Sequence, residues 1–180
     1  MVERESPALH IQVNGPGAMI ALRLDPGDTR AMTGIRHVLG TALPQQGVCL
    51  TAGEVVVLGL AFDEWLLLAP ADAQVGMIRR LQAALAGCHA AIVDASDLRT
   101  VFGLRGAHAW DVLRKGCAVD LHPRAFATGD CVQTAFARVR VILRQLDDTP
   151  AYELLVERSY AAYMKDWLDD AAREFTAASS

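Results

Sequence analysis

Hydrophobic and polar positions along the first half of the chain predict a strand, a helix, a hairpin and a second helix, in that order. The strand is an apolar run closed by a turn, and the first helix has an aspartate at its start and a glycine at its end. Both hairpin strands are apolar at nearly every position, so we expect both of their faces to be covered. The predicted elements are the strand Met19–Leu24, the helix from Asp28 to Gly40, the hairpin strands Val55–Phe62 and Trp65–Ala69, and a helix capped by Asp72.

The second half repeats this order and starts near Ile92-Val93-Asp94. Its predicted elements are the strand Thr100–Leu104, the helix Ala107–Lys115, the strands Val132–Leu143 and Tyr152–Val156, and a last helix capped by Ser159 with Tyr160, Met164, Trp167, Leu168 and Ala171 facing inward. Apolar positions of the two halves match at an offset of 87 residues, as Trp65 does with Tyr152. We therefore predict an α+β fold of duplicated strand–helix–hairpin–helix units. The first repeat covers residues 9–88 and the second covers residues 89–175, packed as one body, and residues 176–180 form a disordered tail.

Composition narrows the class of protein. Hydrophobic residues make up 52% of the 180 residues and the net charge is −4, which predicts a large core and argues against a nucleic-acid partner. The longest apolar stretch, Val55–Ala61, is too short to span a membrane, and the charged start of the chain does not resemble a secretory signal. The four cysteines form no C-x-x-C pair. We therefore expect buried free thiols and a cytoplasmic protein with no membrane partner.

Familiar catalytic and cofactor-binding motifs are missing from the sequence. It contains no G-x-S-x-G nucleophile turn and no G-x-G-x-x-G dinucleotide fingerprint. Asp94 or Asp97 with His122 could supply a general acid and base. The segment Asp94-Ala95-Ser96-Asp97 is also typical of a turn whose side chains bind its own backbone, and we favour that interpretation. We predict no catalytic, cofactor-binding or metal-binding residue in this chain.

One polar pattern indicates a surface for a partner. If Thr134–Arg144 is a single strand, alternation places Arg138, Arg140 and Arg144 on one face. Three guanidinium groups there could bind carboxylates of a partner protein or an anionic ligand, although a solvated sheet face would show the same pattern. We predict a partner interface that contains Trp110, Arg138, Arg140 and Arg144.

The run Lys-Gly-Cys-x-x-Asp-Leu-His-Pro at residues 115–123, together with the neighbouring segments Val93–Thr100 and Gly129–Thr134, resembles the gamma subunit of bacterial heterotetrameric sarcosine oxidase. The resemblance covers most of the chain beyond about residue 50, and its most specific run is Lys-Gly-Cys-x-x-Asp-Leu-His-Pro at residues 115–123. The segments that carry it are Val93–Thr100, Leu104–Gly106, Val112–Phe126, Gly129–Thr134, Ala137–Val139, Ser159–Tyr160, Asp166–Leu168 and, in the first half, Asp63–Leu67.

The resemblance implies both a fold and a role. The family is similar in fold to the first domains of the glycine-cleavage aminomethyltransferase. Its complexes demethylate sarcosine oxidatively to glycine and pass the one-carbon unit to tetrahydrofolate. The implied role is a non-catalytic gamma subunit whose alpha, beta and delta partners carry FAD, FMN, NAD and the tetrahydrofolate site.

Two other functions remain open. Duplicated α+β units can form a ligand cleft between their halves, so the chain could be a stand-alone folate- or amino-acid-binding module. It could also be the gamma subunit of an oxidase for a related N-methyl amino acid, because the substrate contacts should lie on other subunits.

Overall fold

The computed structural model describes residues 8–15 and 17–176, which contain ten strands and four α-helices. Short 3₁₀ turns, Ala71–Ala73 and Arg158–Tyr160, precede the second and fourth helices. The elements in chain order are β1 (His10–Asn14), β2 (Ala18–Leu24), α1 (Thr29–Leu39), β3 (Cys49–Ala52), β4 (Val55–Ala61), β5 (Glu64–Ala69), α2 (Gln74–Ala84), β6 (Ala90–Asp94), β7 (Arg99–Arg105), α3 (Ala109–Arg114), β8 (Cys131–Phe136), β9 (Val139–Asp147), β10 (Ala151–Glu157) and α4 (Ala161–Thr176).

Residues 17–98 form the first compact unit. Its antiparallel sheet has the strand order β3-β4-β5-β2-β6. One face of the sheet packs with α1 and α2, because these elements place apolar side chains on facing sides. The fully buried members of this core are Ile20, Leu22, Ala31, Ile35, Val57, Leu67 and Leu81.

Residues 8–15 and 99–176 form the second compact unit. Its antiparallel sheet has the order β1-β7-β10-β9-β8, and α3 and α4 supply the rest of its core. Read in reverse, β8-β9-β10-β7-β1, this order matches β3-β4-β5-β2-β6 of the first sheet. In both sheets an edge strand is followed by the two strands of the hairpin, then by the strand that precedes the first helix of the unit, and then by the other edge strand. The predicted duplication of an α+β unit is therefore confirmed by the strand order. The fully buried members of this core are Leu104, Ala109, Val112, Leu113, Phe136, Leu143, Leu154, Val156, Met164 and Leu168.

The two halves of the sequence exchange their edge strands. β1 pairs with β7 in the second unit, although it comes before β2 in the chain. β6 pairs with β2 in the first unit, although it follows residue 88. The compact units therefore do not coincide with the predicted ranges 9–88 and 89–175. The predicted tail at 176–180 lies outside the described residues beyond Thr176, which ends α4.

Local signals place α1 as predicted. The Asp28 side chain accepts hydrogen bonds from the backbone N–H groups of Arg30 and Ala31, which satisfies two of the free donors at the helix start. Gly40 ends the helix with a φ of 73°, a left-handed conformation that glycine adopts without a Cβ penalty. The predicted cap and the predicted end are both confirmed.

The β4–β5 hairpin is also confirmed, and both of its faces are buried. Val57 and Leu67 lie in the core with the helices, whereas Leu58 and Leu66 point to the opposite face and are equally inaccessible to solvent. This double burial explains why the two strands are apolar at nearly every position.

Other local predictions were wrong or incomplete. β1 and β3 were not predicted. Asp72 does not cap α2, because the 3₁₀ turn Ala71–Ala73 intervenes and the helix has no side-chain cap. Ser159 lies inside the 3₁₀ turn Arg158–Tyr160 instead of at a helix N-cap. In the same turn Tyr160 is 47% exposed, whereas Met164, Leu168 and Ala171 of α4 are buried as predicted.

The predicted strand Val132–Leu143 is two strands joined by a two-residue turn. Phe136 pairs with Val139, and the turn residues Ala137 and Arg138 have φ values of 46° and 67°. A type I′ turn needs positive φ at both central residues and normally contains Asn or Gly. The sequence Ala-Arg gives no such signal, so the single-strand interpretation was wrong.

The four cysteines are free thiols, as predicted, although only Cys131 is fully buried. Among the described residues, no helix is long and apolar enough to cross a membrane.

Candidate functional site

The tip of the β8–β9 hairpin presents Arg138 separately from the other predicted interface arginines. Because Arg138 lies in the turn, it does not share a strand face with Arg140 and Arg144, and the prediction that the three arginines share one face was wrong. The Arg138 side chain is exposed and has no ionic or hydrogen-bonded partner among the described residues. The hairpin tip therefore offers one guanidinium group to the solvent.

Tertiary contacts hold this turn in its left-handed conformation. For residues other than glycine, the left-handed conformation costs about 1–2 kcal/mol of conformational free energy per residue. The Ala137 N–H donates to the Gly116 carbonyl oxygen at 3.0 Å, and the Tyr163 hydroxyl donates to the Ala137 carbonyl oxygen at 3.0 Å. Tyr163 of α4 and Gly116, which follows α3, thus hold the turn.

Arg140 and Arg144 share one face of β9 with Ile142, as predicted, but their surroundings differ. Arg144 is 13% exposed, and its Nε and Nη2 donate to the same Glu153 carboxylate oxygen at 2.8 and 2.6 Å. The other Glu153 oxygen accepts from Asn14 Nδ2 at 2.9 Å. The charge of Arg144 is therefore neutralised within the chain.

Arg140 is exposed on the surface and forms no ion pair with the described residues. The register of the sheet places Glu157 of β10 beside Arg140 and opposite Arg99 of β7. These three residues line a shallow depression on the sheet, and neither guanidinium group forms an ion pair within the described part of the chain. This row carries a net positive charge.

Trp110 is half-buried on α3, and its indole ring forms contacts within the chain. Its indole Nε1 donates to the Leu121 carbonyl oxygen at 3.0 Å. The Arg114 guanidinium lies 4.9 Å from its ring centre, close enough for a cation–π contact. The indole fixes the loop that follows α3, so Trp110 is only partly available to a partner.

The carboxylates considered for acid–base chemistry build a turn. Asp94 accepts hydrogen bonds from the Ser96 hydroxyl at 2.7 Å, from the Ser96 N–H at 3.0 Å and from Gln74 Nε2 at 2.8 Å. These hydrogen bonds lower the pKa of the Asp94 carboxyl, and the bond from the Ser96 hydroxyl has the largest effect. Ser96 in turn accepts from the Met19 N–H at 3.0 Å. The preferred turn interpretation of this segment is confirmed.

His122 is exposed and is likewise engaged by its own loop. Its Nδ1 accepts from the Arg124 N–H at 3.2 Å, while its backbone N–H donates to the Asp120 carboxylate at 2.9 Å. Within residues 8–15 and 17–176, no group of three or more His, Cys, Asp or Glu side chains has a geometry that could hold a metal ion.

The sequence did not reveal an apolar groove at the tip of the β4–β5 hairpin. The groove has a volume of about 320 Å³, and its lining comprises the apolar residues Leu24, Phe62, Ala90 and Ala91 and the polar residues Arg23, Asp25, Asp63 and His89. Phe62 is 69% exposed although it is a large aromatic residue. Its position beside the predicted Asp63-Glu64 break is the sequence signal that could have indicated an exposed residue at the hairpin tip.

Comparisons with known proteins match most of the chain to one family. Residues 23–174 match the model of the family described as "Sarcosine oxidase, gamma subunit family". The sarcosine oxidase subunit gamma of Corynebacterium sp. (strain P-1) is 36% identical over 159 residues, which cover 87% of this chain and 76% of that protein. The protein of the same name from Arthrobacter sp. is 35% identical over 189 residues, with 96% and 91% coverage.

Solved structures show the same similarity. A chain of the heterotetrameric sarcosine oxidase from Corynebacterium sp. U-96, in complex with pyrrole 2-carboxylate, superposes with a TM-score of 0.87 and 30% identity over 94% of this chain and 86% of that chain. The glycine cleavage system aminomethyltransferase T from Bartonella henselae superposes with a TM-score of 0.68 and 14% identity, over 89% of this chain and 45% of that chain. The second likeness concerns the fold alone and agrees with the fold that the sequence predicted.

Proposed function

The chain belongs to the sarcosine oxidase gamma subunit family, and we propose that it is the non-catalytic gamma subunit of a heterotetrameric sarcosine oxidase. The observation that carries the proposal is the near full-length match, with a TM-score of 0.87 to a chain of such a complex. In this role the chain supports the oxidative demethylation of sarcosine to glycine, with transfer of the one-carbon unit to tetrahydrofolate.

The proposal assigns the chemistry to the other subunits. FAD, FMN, NAD and tetrahydrofolate are held by alpha, beta and delta subunits in the cytoplasm, and this chain contributes surface. This role is supported by the polar side chains considered for chemistry or binding, because several of them form hydrogen bonds or ion pairs within the chain. Asp94 builds a turn, His122 is engaged by its own loop and Arg144 is neutralised by Glu153.

Co-expression tests the proposed function. A tagged form of this chain, produced together with the alpha, beta and delta subunits, should co-purify with them in a fixed ratio, measured by native mass spectrometry. Complexes prepared without this chain should be less stable or should fail to assemble. A soluble chain that ignores the co-expressed subunits would overturn the proposal.

Calorimetry on the isolated chain tests the alternative of a stand-alone binding module. We expect no heat of binding with tetrahydrofolate, glycine or sarcosine. Binding at micromolar concentration without partners would favour the module instead. Turnover of sarcosine compared with other N-methyl amino acids by the assembled complex would identify the substrate.

A further inference from the structure

The outer face of the second sheet carries its side chains in rows that cross β7, β10 and β9. This face lies opposite the core formed with α3 and α4, because Phe102, Leu154 and Leu143 point into that core. The strand pairing sets one residue of each strand side by side, and side chains two positions apart share the face. Along the strands, the rows are Arg105-Ala151-Asp147, Gly103-Glu153-Arg144, Val101-Leu155-Ile142 and Arg99-Glu157-Arg140.

The arginines at one end of this face have counterions within the chain. Arg144 forms an ion pair with Glu153 of its own row at 2.6 Å. Arg105 forms an ion pair with Asp147 of its own row at 3.4 Å. In each of these rows the positive and negative charges are equal in number. The chain itself therefore satisfies the charges at this end of the sheet.

The row at the other end has more positive than negative charge and no ion pair. It contains the guanidinium groups of Arg99 and Arg140 and the single carboxylate of Glu157. Within the described part of the chain, these three side chains form no hydrogen bond or ion pair. Neighbouring strands are about 4.8 Å apart, so the two arginine backbones lie about 10 Å apart with Glu157 between them. The row is positive although the whole chain has a net charge of −4.

An apolar row lies directly beside these charges. Val101, Leu155 and Ile142 are only 9%, 1% and 2% exposed. Leu155 and Ile142 also line the shallow depression that contains both arginines. Charges beside an apolar surface from which water is excluded interact more strongly than charges surrounded by water. A carboxylate that approached this row would therefore be attracted more strongly than on a fully solvated face.

The chemistry of the row favours an acidic protein surface as its partner. Guanidinium groups bind carboxylates through paired N–H donors, and arginine is enriched among the residues that dominate binding at protein interfaces. The depression has a volume of about 20 Å³, far below the roughly 300 Å³ of a small-molecule pocket. A second copy of the row would bring two more guanidinium groups, so like charges would meet.

We propose that Arg99 and Arg140 bind carboxylate side chains on an acidic surface of a partner subunit. We call Arg99, Glu157 and Arg140 the basic row. Each guanidinium group donates hydrogen bonds to a partner carboxylate, while Glu157 repels the same carboxylates and weakens the contact. The inference rests on the proposed function, because the carboxylates belong to another subunit of the complex. It adds Arg99 to the interface predicted from the sequence.

Competition for assembly tests the basic row. Tagged variants are co-expressed with untagged wild-type chain and the partner subunits, and mass spectrometry measures the ratio of variant to wild type in the purified complex. Arg99→Gln and Arg140→Gln should each lower incorporation by about threefold or more, and the double variant by about tenfold or more. Arg105→Gln is the matched control, because it removes one arginine from the same face of β7, where the ion pair with Asp147 is exposed. It should be incorporated like wild type.

Glu157→Gln reports the sign of the partner's charge. Removing this carboxylate leaves two guanidinium groups in the row, so incorporation should rise above that of wild type. A basic partner surface predicts a decrease instead. The rate of assembly should fall as salt concentration rises, and the double arginine variant should lose part of this dependence. Thermal unfolding of each variant shows whether it is folded.

Modification of arginine gives a second readout that requires no variant. Phenylglyoxal reacts with accessible guanidinium groups, and peptide mass spectrometry identifies the modified residues. Arg99 is half-buried and Arg140 is exposed in this chain, so both should react when the chain is free. Both should be protected in the wild-type complex, whereas Arg105 should react at a similar rate in the two states.

Each outcome bears on a separate claim. If wild type assembles but the arginine variants are incorporated like Arg105→Gln, or if Arg99 and Arg140 stay equally reactive in the complex, the inference is overturned. A fall in incorporation of folded Glu157→Gln also overturns it, because the partner surface would then be basic. If millimolar succinate or glycine protects both arginines in the free chain, the row binds a small carboxylate and the inference fails. If the wild-type chain does not assemble at all, the proposed function fails first.

Discussion

Alanine at Gly34 should destabilise the protein, although alanine is the better helix former. Gly34 lies in the middle of α1, and the Cβ of an alanine there would lie 2.7 Å from the Ala84 carbonyl oxygen of α2. Since that neighbour is backbone, one helix must shift to accommodate the methyl group. Gly76 of α2 provides the matched control, because a Cβ at that position meets nothing within 4 Å.

The two substitutions share one term and differ in the other. Replacing a helical glycine by alanine raises the free energy of unfolding by about 0.5–1 kcal/mol. Gly76→Ala should show this gain alone. At Gly34 the gain is opposed by an overpacking cost of about 1–3 kcal/mol. The free energies of unfolding of the two variants should therefore differ by about 1–3 kcal/mol, and their melting temperatures by about 2–12 °C.

Urea unfolding followed by circular dichroism, together with thermal melts, measures this difference. Wild type should lie between the two variants, with Gly76→Ala above it and Gly34→Ala below it. A Gly34→Ala variant as stable as Gly76→Ala would refute the close approach of α1 to α2. It would also show that helix propensity dominates at both positions.

Three further predictions concern side chains outside the helix contact. Glu153→Ala should lower the free energy of unfolding by about 3 kcal/mol in urea titrations, because it leaves Arg144 nearly buried without its counterion; a loss below about 1 kcal/mol would contradict this. Hydrogen bonds from Ser96 lower the pKa of Asp94, so the stabilisation from this group is complete above the ordinary aspartate range and is lost as the pH falls through the lowered pKa. The melting temperature of Asp94→Asn should therefore depend less on pH in the acidic range than that of wild type. An unchanged dependence on pH would count against the turn contacts. Burial raises the pKa of the Cys117 thiol, so its alkylation by iodoacetamide, followed by peptide mass spectrometry, should reach half its maximal rate at a higher pH than free cysteine. Equal pH profiles would disprove that burial.

Elements with local signals could be predicted from the sequence. The Asp28 cap and the Gly40 end of α1 satisfy backbone groups within one turn, so the residues that form them are neighbours in the chain. The β4–β5 hairpin follows from two apolar runs around a two-residue break. In both cases the interactions that decide the structure span only a few positions.

The turn at Arg138 could not be predicted for the opposite reason. Ala137 and Arg138 adopt positive φ, which neither residue favours by itself. The hydrogen bonds that hold the turn come from Gly116 and Tyr163, more than 20 residues away in either direction. Tertiary contacts override local preference here, and the arginine pattern was misassigned as a result.

The outward face of β6 was hidden from the sequence by the exchange of edge strands. No strand was predicted near Ile92, and the inner and outer faces of β6 depend on its pairing with β2. A shift of one residue in that register would turn Val93 toward the core and Ile92 toward the solvent. Only the pairing of Ala21 with Val93 identifies the outward positions as apolar.

The arginines of β9 differ in what a partner would have to disrupt. A partner carboxylate that bound Arg144 would compete with Glu153, which is itself only 13% exposed. The displaced Glu153 would then be left nearly buried without a counterion, at a cost of several kcal/mol. Arg140 and Arg138 are exposed and have no such partner among the described residues, so binding there sacrifices no internal ion pair. Within the proposed role, the predicted arginine contacts are therefore expected at Arg138 and Arg140, while Arg144 holds the sheet together.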